Sequence, residues 1–129
     1  MCRSLIVTLM LVILAGCNLS GQNEVVPTPD RPTVQFLSPD NNALVVDGFD
    51  LTLDLYAQDS VGVARIELRL NGQKLRDLDY PNYQSGQQFH AETNWIAQGV
   101  GFHNFSAIAY RLDGTQSDEV FISIEVVSP

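Results

Sequence analysis

The chain has 129 residues, 45% of them apolar, with seven Lys and Arg against fifteen Asp and Glu for a net charge of -8. That length supports one hydrophobic core rather than two, and the acidic balance argues against nucleic acid and against a basic patch on anionic headgroups. The two cysteines are Cys2 and Cys17, so everything beyond them lacks both a disulfide framework and a thiolate metal site.

Arg3 precedes an apolar run, Leu5 to Ile13, which closes on Leu14-Ala15-Gly16-Cys17. The run is shorter than the roughly 20 residues of a membrane span. A charged start, an apolar middle and a small-residue exit mark a cleavable secretion signal. With a lipobox at 14–17, the stretch resembles a lipoprotein signal peptide. That resemblance implies removal of residues 1–16, and a mature chain beginning at Cys17 with a diacylglycerol thioether and an N-acyl chain such as palmitate. Two or three acyl chains hold a bilayer far more firmly than one. The implied location is exported, lipid-anchored to the outer face of the cytoplasmic membrane or to the outer membrane, and Asn18 beside the cysteine favours the latter. Loss of Arg3 with residues 1–16 takes the net charge to -9.

Residues 17–32 are polar and proline-containing, with Pro27, Pro29 and Pro32. Such a composition cannot bury enough apolar surface to order itself and reads as an extended tether. From 33 to 129 the pattern turns to short alternating strands separated by turn signals. Thr33 to Leu37 is the first, ended by Ser38-Pro39-Asp40-Asn41-Asn42, and Ala43 to Val46 follows before Asp47-Gly48. Leu51, Leu53, Leu55 and Ala57 alternate with polar neighbours, and Asp59-Ser60-Val61-Gly62 is expected to turn the chain. Ala64, Ile66, Leu68 and Leu70 alternate with Arg65, Glu67 and Arg69, one face for the core and one for water. Asn71-Gly72 predicts a type I′ hairpin, because both central positions need positive φ, and Gln73 to Leu78 returns antiparallel.

Asp79 to Gln87, with Pro81, Asn82, Ser85 and Gly86, is expected to be the longest loop. Gln88 to Ile96 is the next strand, with Phe89, Ala91, Thr93 and Trp95 on one face. Gly99 and Gly101 mark a tight turn, then Phe105, Ala107 and Ala109 share a face. Asp113-Gly114 turns the chain into a last strand with Val120, Ile122, Ile124 and Val126 inward. Nothing from 33 to 129 keeps a helical period, which predicts an all-β sandwich.

Val34-Gln35-Phe36-Leu37-Ser38-Pro39, Tyr56 to Leu68, Asn71-Gly72-Gln73, Gly101 to Tyr110 and Asp113-Gly114-Thr115-Gln116-Ser117 carry a second likeness. On these residues the domain resembles bacterial immunoglobulin-like domains of extracellular proteins. The resemblance implies an immunoglobulin-like antiparallel β-sandwich of about seven strands. It also implies a spacer, stalk or docking role and supplies no catalytic residues. The chain departs from antibody-type domains in lacking their inter-sheet cysteine pair and in placing Trp95 late. Trp95 is left open between the edge of the core and an exposed platform.

No catalytic set is present. His90 and His103 lie in strands without zinc-site spacing and read as surface or rim residues, and no serine sits in a nucleophile elbow. The turn carboxylates Asp40, Asp47, Asp50, Asp59, Asp113, Asp118 and Glu119 lack a calcium-loop register, and side-chain-to-backbone turn chemistry explains most of them. No catalytic residue, metal site or cofactor is therefore expected. The best ligand-binding candidates are Tyr80, Asn82, Tyr83 and Gln84, joined by Trp95: flat aromatic faces beside amides, suited to sugar rings or peptides. The alternative is that Tyr80 and Tyr83 lid one end of the sandwich.

The expected function is a non-enzymatic, lipid-anchored envelope module for adhesion, docking or spacing, with the membrane as one partner through Cys17 and a protein or polysaccharide as another. A surface carbohydrate-binding module and an accessory subunit of an envelope complex are the alternatives.

Overall fold

The computed structural model describes residues 30–129. The lipobox, Cys17 and most of the tether lie outside the described residues. Eight strands follow in chain order: β1 (Thr33–Ser38), β2 (Ala43–Val46), β3 (Asp50–Val63), β4 (Arg65–Leu70), β5 (Gln73–Asp79), β6 (Gly86–Ile96), β7 (Gly101–Tyr110) and β8 (Val120–Val127). They form two sheets, one ordered β1-β3-β6 and the other β2-β8-β7-β4-β5. The fold is thus the all-β, immunoglobulin-like sandwich expected, with three differences. The longest connection is 111–119, between β7 and β8, rather than 79–87, which β6 shortens by starting at Gly86.

The sandwich is not wholly antiparallel, because β2 leaves the sheet that holds β1 and pairs parallel with β8, Ala43 opposite Ile124 and Val46 opposite Val127. Nor does Asp59-Ser60-Val61-Gly62 end a strand. β3 runs through it with a register shift against β6 between Gln58 and Val63, and Gly62 takes φ +140° there. Only glycine adopts that conformation readily, so the sequence signal was for a bulge rather than a reversal.

Period two places the core where expected. Leu53, Leu55 and Ala57 from one sheet meet Ile66, Leu68, Phe105, Ala107, Ile124 and Val126 from the other, all fully buried. Polar groups caught inside are satisfied: Thr93 on the inner side of β6 accepts a 2.7 Å hydrogen bond from Arg76 of β5, across the seam between the sheets. The β4–β5 hairpin forms at Asn71-Gly72, with φ of 51° and 83°. Its tip is tied to β7 by Asn71 N–H donating to Asn104 O at 2.7 Å and Asn104 N–H donating to Asn71 Oδ1 at 2.9 Å.

The outer face of the five-stranded sheet is less open to water than alternation implies. Glu67 is buried there despite its outward register. Arg69 Nε donates to it at 2.8 Å, Arg65 stands on its other side, and Arg65 in turn stacks over the Tyr110 ring at 3.8 Å. The arginine stems cover apolar surface while their heads reach water.

Candidate binding site at the loop pole

Three segments meet at one end of the sandwich: the bulge at Ser60–Gly62, the connection Tyr80–Ser85 between β5 and β6, and Arg111–Ser117 between β7 and β8. An ion pair joins two of them. Arg111 grips Asp59 with two parallel hydrogen bonds, Nε to Oδ2 at 2.6 Å and Nη2 to Oδ1 at 2.9 Å. The Asp59 side chain has 0% exposure and that of Arg111 12%. Gly62 N–H donates to the same carboxylate at 3.0 Å. Arg111 beside Asp59 holds that carboxyl below the usual aspartate range, against the opposing effect of burial, and Gly62 N–H adds to the lowering. A paired, hydrogen-bonded carboxylate tolerates burial that an isolated one would not.

The same guanidinium reaches the incoming chain. Arg111 Nη2 donates to Asp30 O at 3.0 Å, and Ser60 Oγ donates to Asp30 Oδ2 at 2.5 Å. Asp30, the first described residue, is therefore held at this pole by a polar clamp.

Beside the clamp lies a cleft of about 170 Å³ lined by Ala64, Arg65, Asp79, Tyr83, Gln84, Arg111 and Leu112. Tyr83 is 88% exposed and Leu112 69%. Asn82 and Tyr83 both have positive φ, 59° and 53°, at the kink of a short 3-10 turn, Pro81–Tyr83. Left-handed backbone is uncommon for a bulky aromatic residue; here it stands the Tyr83 ring away from the body of the domain. Chemically, the cleft offers an apolar wall and a ring face, with the Gln84 amide, the Asp79 carboxylate and the Arg65 guanidinium as polar partners.

Of the five residues predicted for a binding loop, the structure brings together two, Tyr83 and Gln84. Asn82 is exposed at the turn. Tyr80 points inward, edge-on to Phe89 with ring centroids 5.3 Å apart, so it is a lid on the core. The space its ring takes explains Gly86, where an added Cβ would lie 2.4 Å from Tyr80 Oη. Trp95 is a correction. It is 6% exposed, a core residue, edge-on to Phe105 at 5.1 Å and 5.5 Å from the His103 ring. It stands nine residues along β6 from Gly86, about 30 Å from the loop, and cannot join it.

The sequence reading missed Leu112 and Arg111. An apolar residue directly before the polar turn Asp113-Gly114 was the available signal for Leu112. Arg111 carried none, since its partner Asp59 lies 52 residues away. The turn carboxylates do not converge: Asp118 pairs with Arg31 at 2.8 Å, Asp113 Oδ1 accepts from Thr115 N–H at 2.9 Å, and Glu119 accepts from Ser106 Oγ at 2.7 Å. His90 is exposed and His103 is at the rim, with its ring nitrogens against Asn71 and Gly99 O.

Comparison with known proteins places this architecture. The family model described as a bacterial Ig domain matches residues 32–120. Among solved structures, the fibronectin(III)-like modules of Clostridium thermocellum CbhA superpose with a TM-score of 0.63 at 25% identity, over 77% of this chain and 48% of that one. This chain thus spans about half the length of that relative. The SrpA adhesin of Streptococcus sanguinis aligns at TM-score 0.56 and 14% identity, over 75% of this chain and 57% of the adhesin. A CARDB domain from Pyrococcus furiosus aligns at 0.55 and 12%, over 76% and 89%. At these identities the last two show a shared fold alone. No curated protein sequence matches the chain.

Proposed function

Since the chain belongs to the bacterial Ig domain family, we propose that it is a non-catalytic module of the cell envelope, lipid-anchored through Cys17, for adhesion, docking or spacing. One observation carries this reading: the fold is entered at one pole and left at the other. Asp30 is held at the loop pole by Arg111 and Ser60. Val127 lies at the opposite pole, where its carbonyl accepts from Asp47 N–H at 2.8 Å. Between them β3 runs from Asp50 to its pairing with β1 at Gln58, a span of about 27 Å.

A domain threaded end to end transmits position along its long axis, which is what a spacer or a display module needs. A tether gripped where it meets the fold gives the domain a defined base, with the far pole presented outward. The loop-pole cleft faces back towards the anchor and suits a neighbour on the same surface. A sugar-binding platform loses support, because two of the three aromatic residues expected to build it, Tyr80 and Trp95, are packed inward.

Metabolic labelling with an alkynyl palmitate, comparing the native chain with Cys17→Ala, tests the anchor. The reading predicts label in the native chain, none in the variant, and release of the variant from the membrane fraction. Equal fractionation of both, without label, would overturn it.

A further inference from the structure

The outer face of the three-stranded sheet carries a group of side chains that the binding reading leaves unused. Antiparallel pairing of β3 with β6 sets Asp54 directly opposite Glu92 and Tyr56 opposite His90. Residues two apart on a strand share a face, so Asp54, Glu92 and His90 all project to the solvent side. Like charges directly opposite each other across two strands are destabilising, yet among the described residues neither Asp54 nor Glu92 pairs with an arginine or lysine. Only His90 approaches, its Nε2 in hydrogen-bond contact with Asp54 Oδ1.

The geometry points to a binding site for a divalent transition-metal ion, zinc as the type case, held by Asp54, His90 and Glu92. One ligand atom from each lies within 4.8 Å of the other two. Zinc bonds to nitrogen and oxygen are about 2.0–2.2 Å long, so tetrahedral ligands sit roughly 3.4 Å apart. Seating an ion therefore takes shifts of about 1 Å at side-chain tips, two of them exposed, including a parting of the Asp54–His90 hydrogen-bond contact. A neutral imidazole and two carboxylates balance a 2+ ion, which removes the repulsion across the strands.

Three protein ligands also leave a fourth position towards solvent for water or for a donor from another molecule. The nitrogen ligand selects against calcium and magnesium, which want an all-oxygen shell, six to eight oxygens in the case of calcium. The other histidine is not equivalent. His103 has its ring nitrogens committed to Asn71 and to Gly99 O.

Isothermal titration of zinc chloride into the untagged full chain in detergent, with its thiols alkylated, tests the site. The expected result is one zinc per chain, with affinity weakened by at least about tenfold in His90→Ala and in Glu92→Gln, and unchanged in His103→Gln. Glu92→Gln removes a like charge, so its metal-free unfolding temperature must equal or exceed that of the native chain. This serves as the folding control. Absence of zinc uptake at about 1 mM, equal binding by native chain and both site variants, loss of binding in His103→Gln, or displacement of zinc by equimolar calcium would each overturn the assignment.

Discussion

The two sheets of this sandwich treat charge on their outer faces in opposite ways. On the five-stranded sheet, Glu67 lies between Arg65 and Arg69, and Asp77 between Arg65 and Lys74 at 3.2 and 2.5 Å. That face neutralises itself, and its long side chains shield Ile108 and Ser106, which are buried although they face outward. On the three-stranded sheet, Asp54 and Glu92 stand opposite each other with one histidine for company. One fold thus carries a face that pairs its charges and a face whose opposed carboxylates meet no arginine or lysine among the described residues. The difference teaches that an outward register says nothing of how a polar residue is used: Glu67 is part of the structure, while Glu92 is unspent.

The buried Asp59–Arg111 pair is the extreme of the self-neutralised kind, and breaking it gives the largest expected effect. Arg111→Ala leaves an uncompensated carboxylate in the interior and should cost about 3–5 kcal/mol. Thermal unfolding would then fall by more than about 12 °C; a fall of a degree or two would show that water reaches Asp59. The pair also sets an acid limit. The folded-state pKa of Asp59 is below its ordinary value of 3.8, so its stabilisation is complete above that value and is lost as pH falls through the lowered one. Denaturant unfolding followed from pH 6 to pH 2 should show a steep loss below about pH 4, and Asp59→Asn, weaker at neutral pH, should show a shallower one.

A smaller effect is expected on the self-neutralised face. Glu67→Ala removes the carboxylate between Arg65 and Arg69, leaving Arg65 with Asp77 and Arg69 with Glu119, and should cost roughly 1 kcal/mol after screening. On the opposite face the sign reverses. Glu92→Gln should raise metal-free stability by roughly 0.2–1 kcal/mol, readable as a shift of the urea midpoint without a change in slope. Equal and opposite behaviour of Glu67 and Glu92 is the sharpest form of the comparison; loss of stability in both would erase it. The smallest effect belongs to Tyr83. Its side chain makes little contact, and Tyr83→Gly relieves a left-handed backbone, so stability should hold or rise by up to about 1 kcal/mol.

Much of the fold was legible because period two is written locally. Leu51, Leu53 and Leu55 declare a face without reference to any neighbour, and Asn71-Gly72 declares a turn. What was not legible was partnership. Asp54 meets Glu92, and Asp59 meets Arg111, across 38 and 52 residues, through registers that packing sets and no local spacing encodes. Tyr80 and Tyr83 show the same limit at short range. Both sit in one polar loop, yet one ring seats on Phe89 above Gly86 while the other stands in water. Trp95 misled for a related reason. An aromatic residue beyond a long loop fits a platform as well as a core, and only the antiparallel return of β6 against Leu51 decides for the core.

The intact mass of the chain extracted from membranes tests the central claim of an envelope-anchored module. The account predicts a species lacking residues 1–16, heavier than the remaining polypeptide by a diacylglycerol group with or without an added acyl chain, and fragmentation that maps the addition to Cys17. A chain that begins at Met1 with an unmodified Cys17 would contradict it.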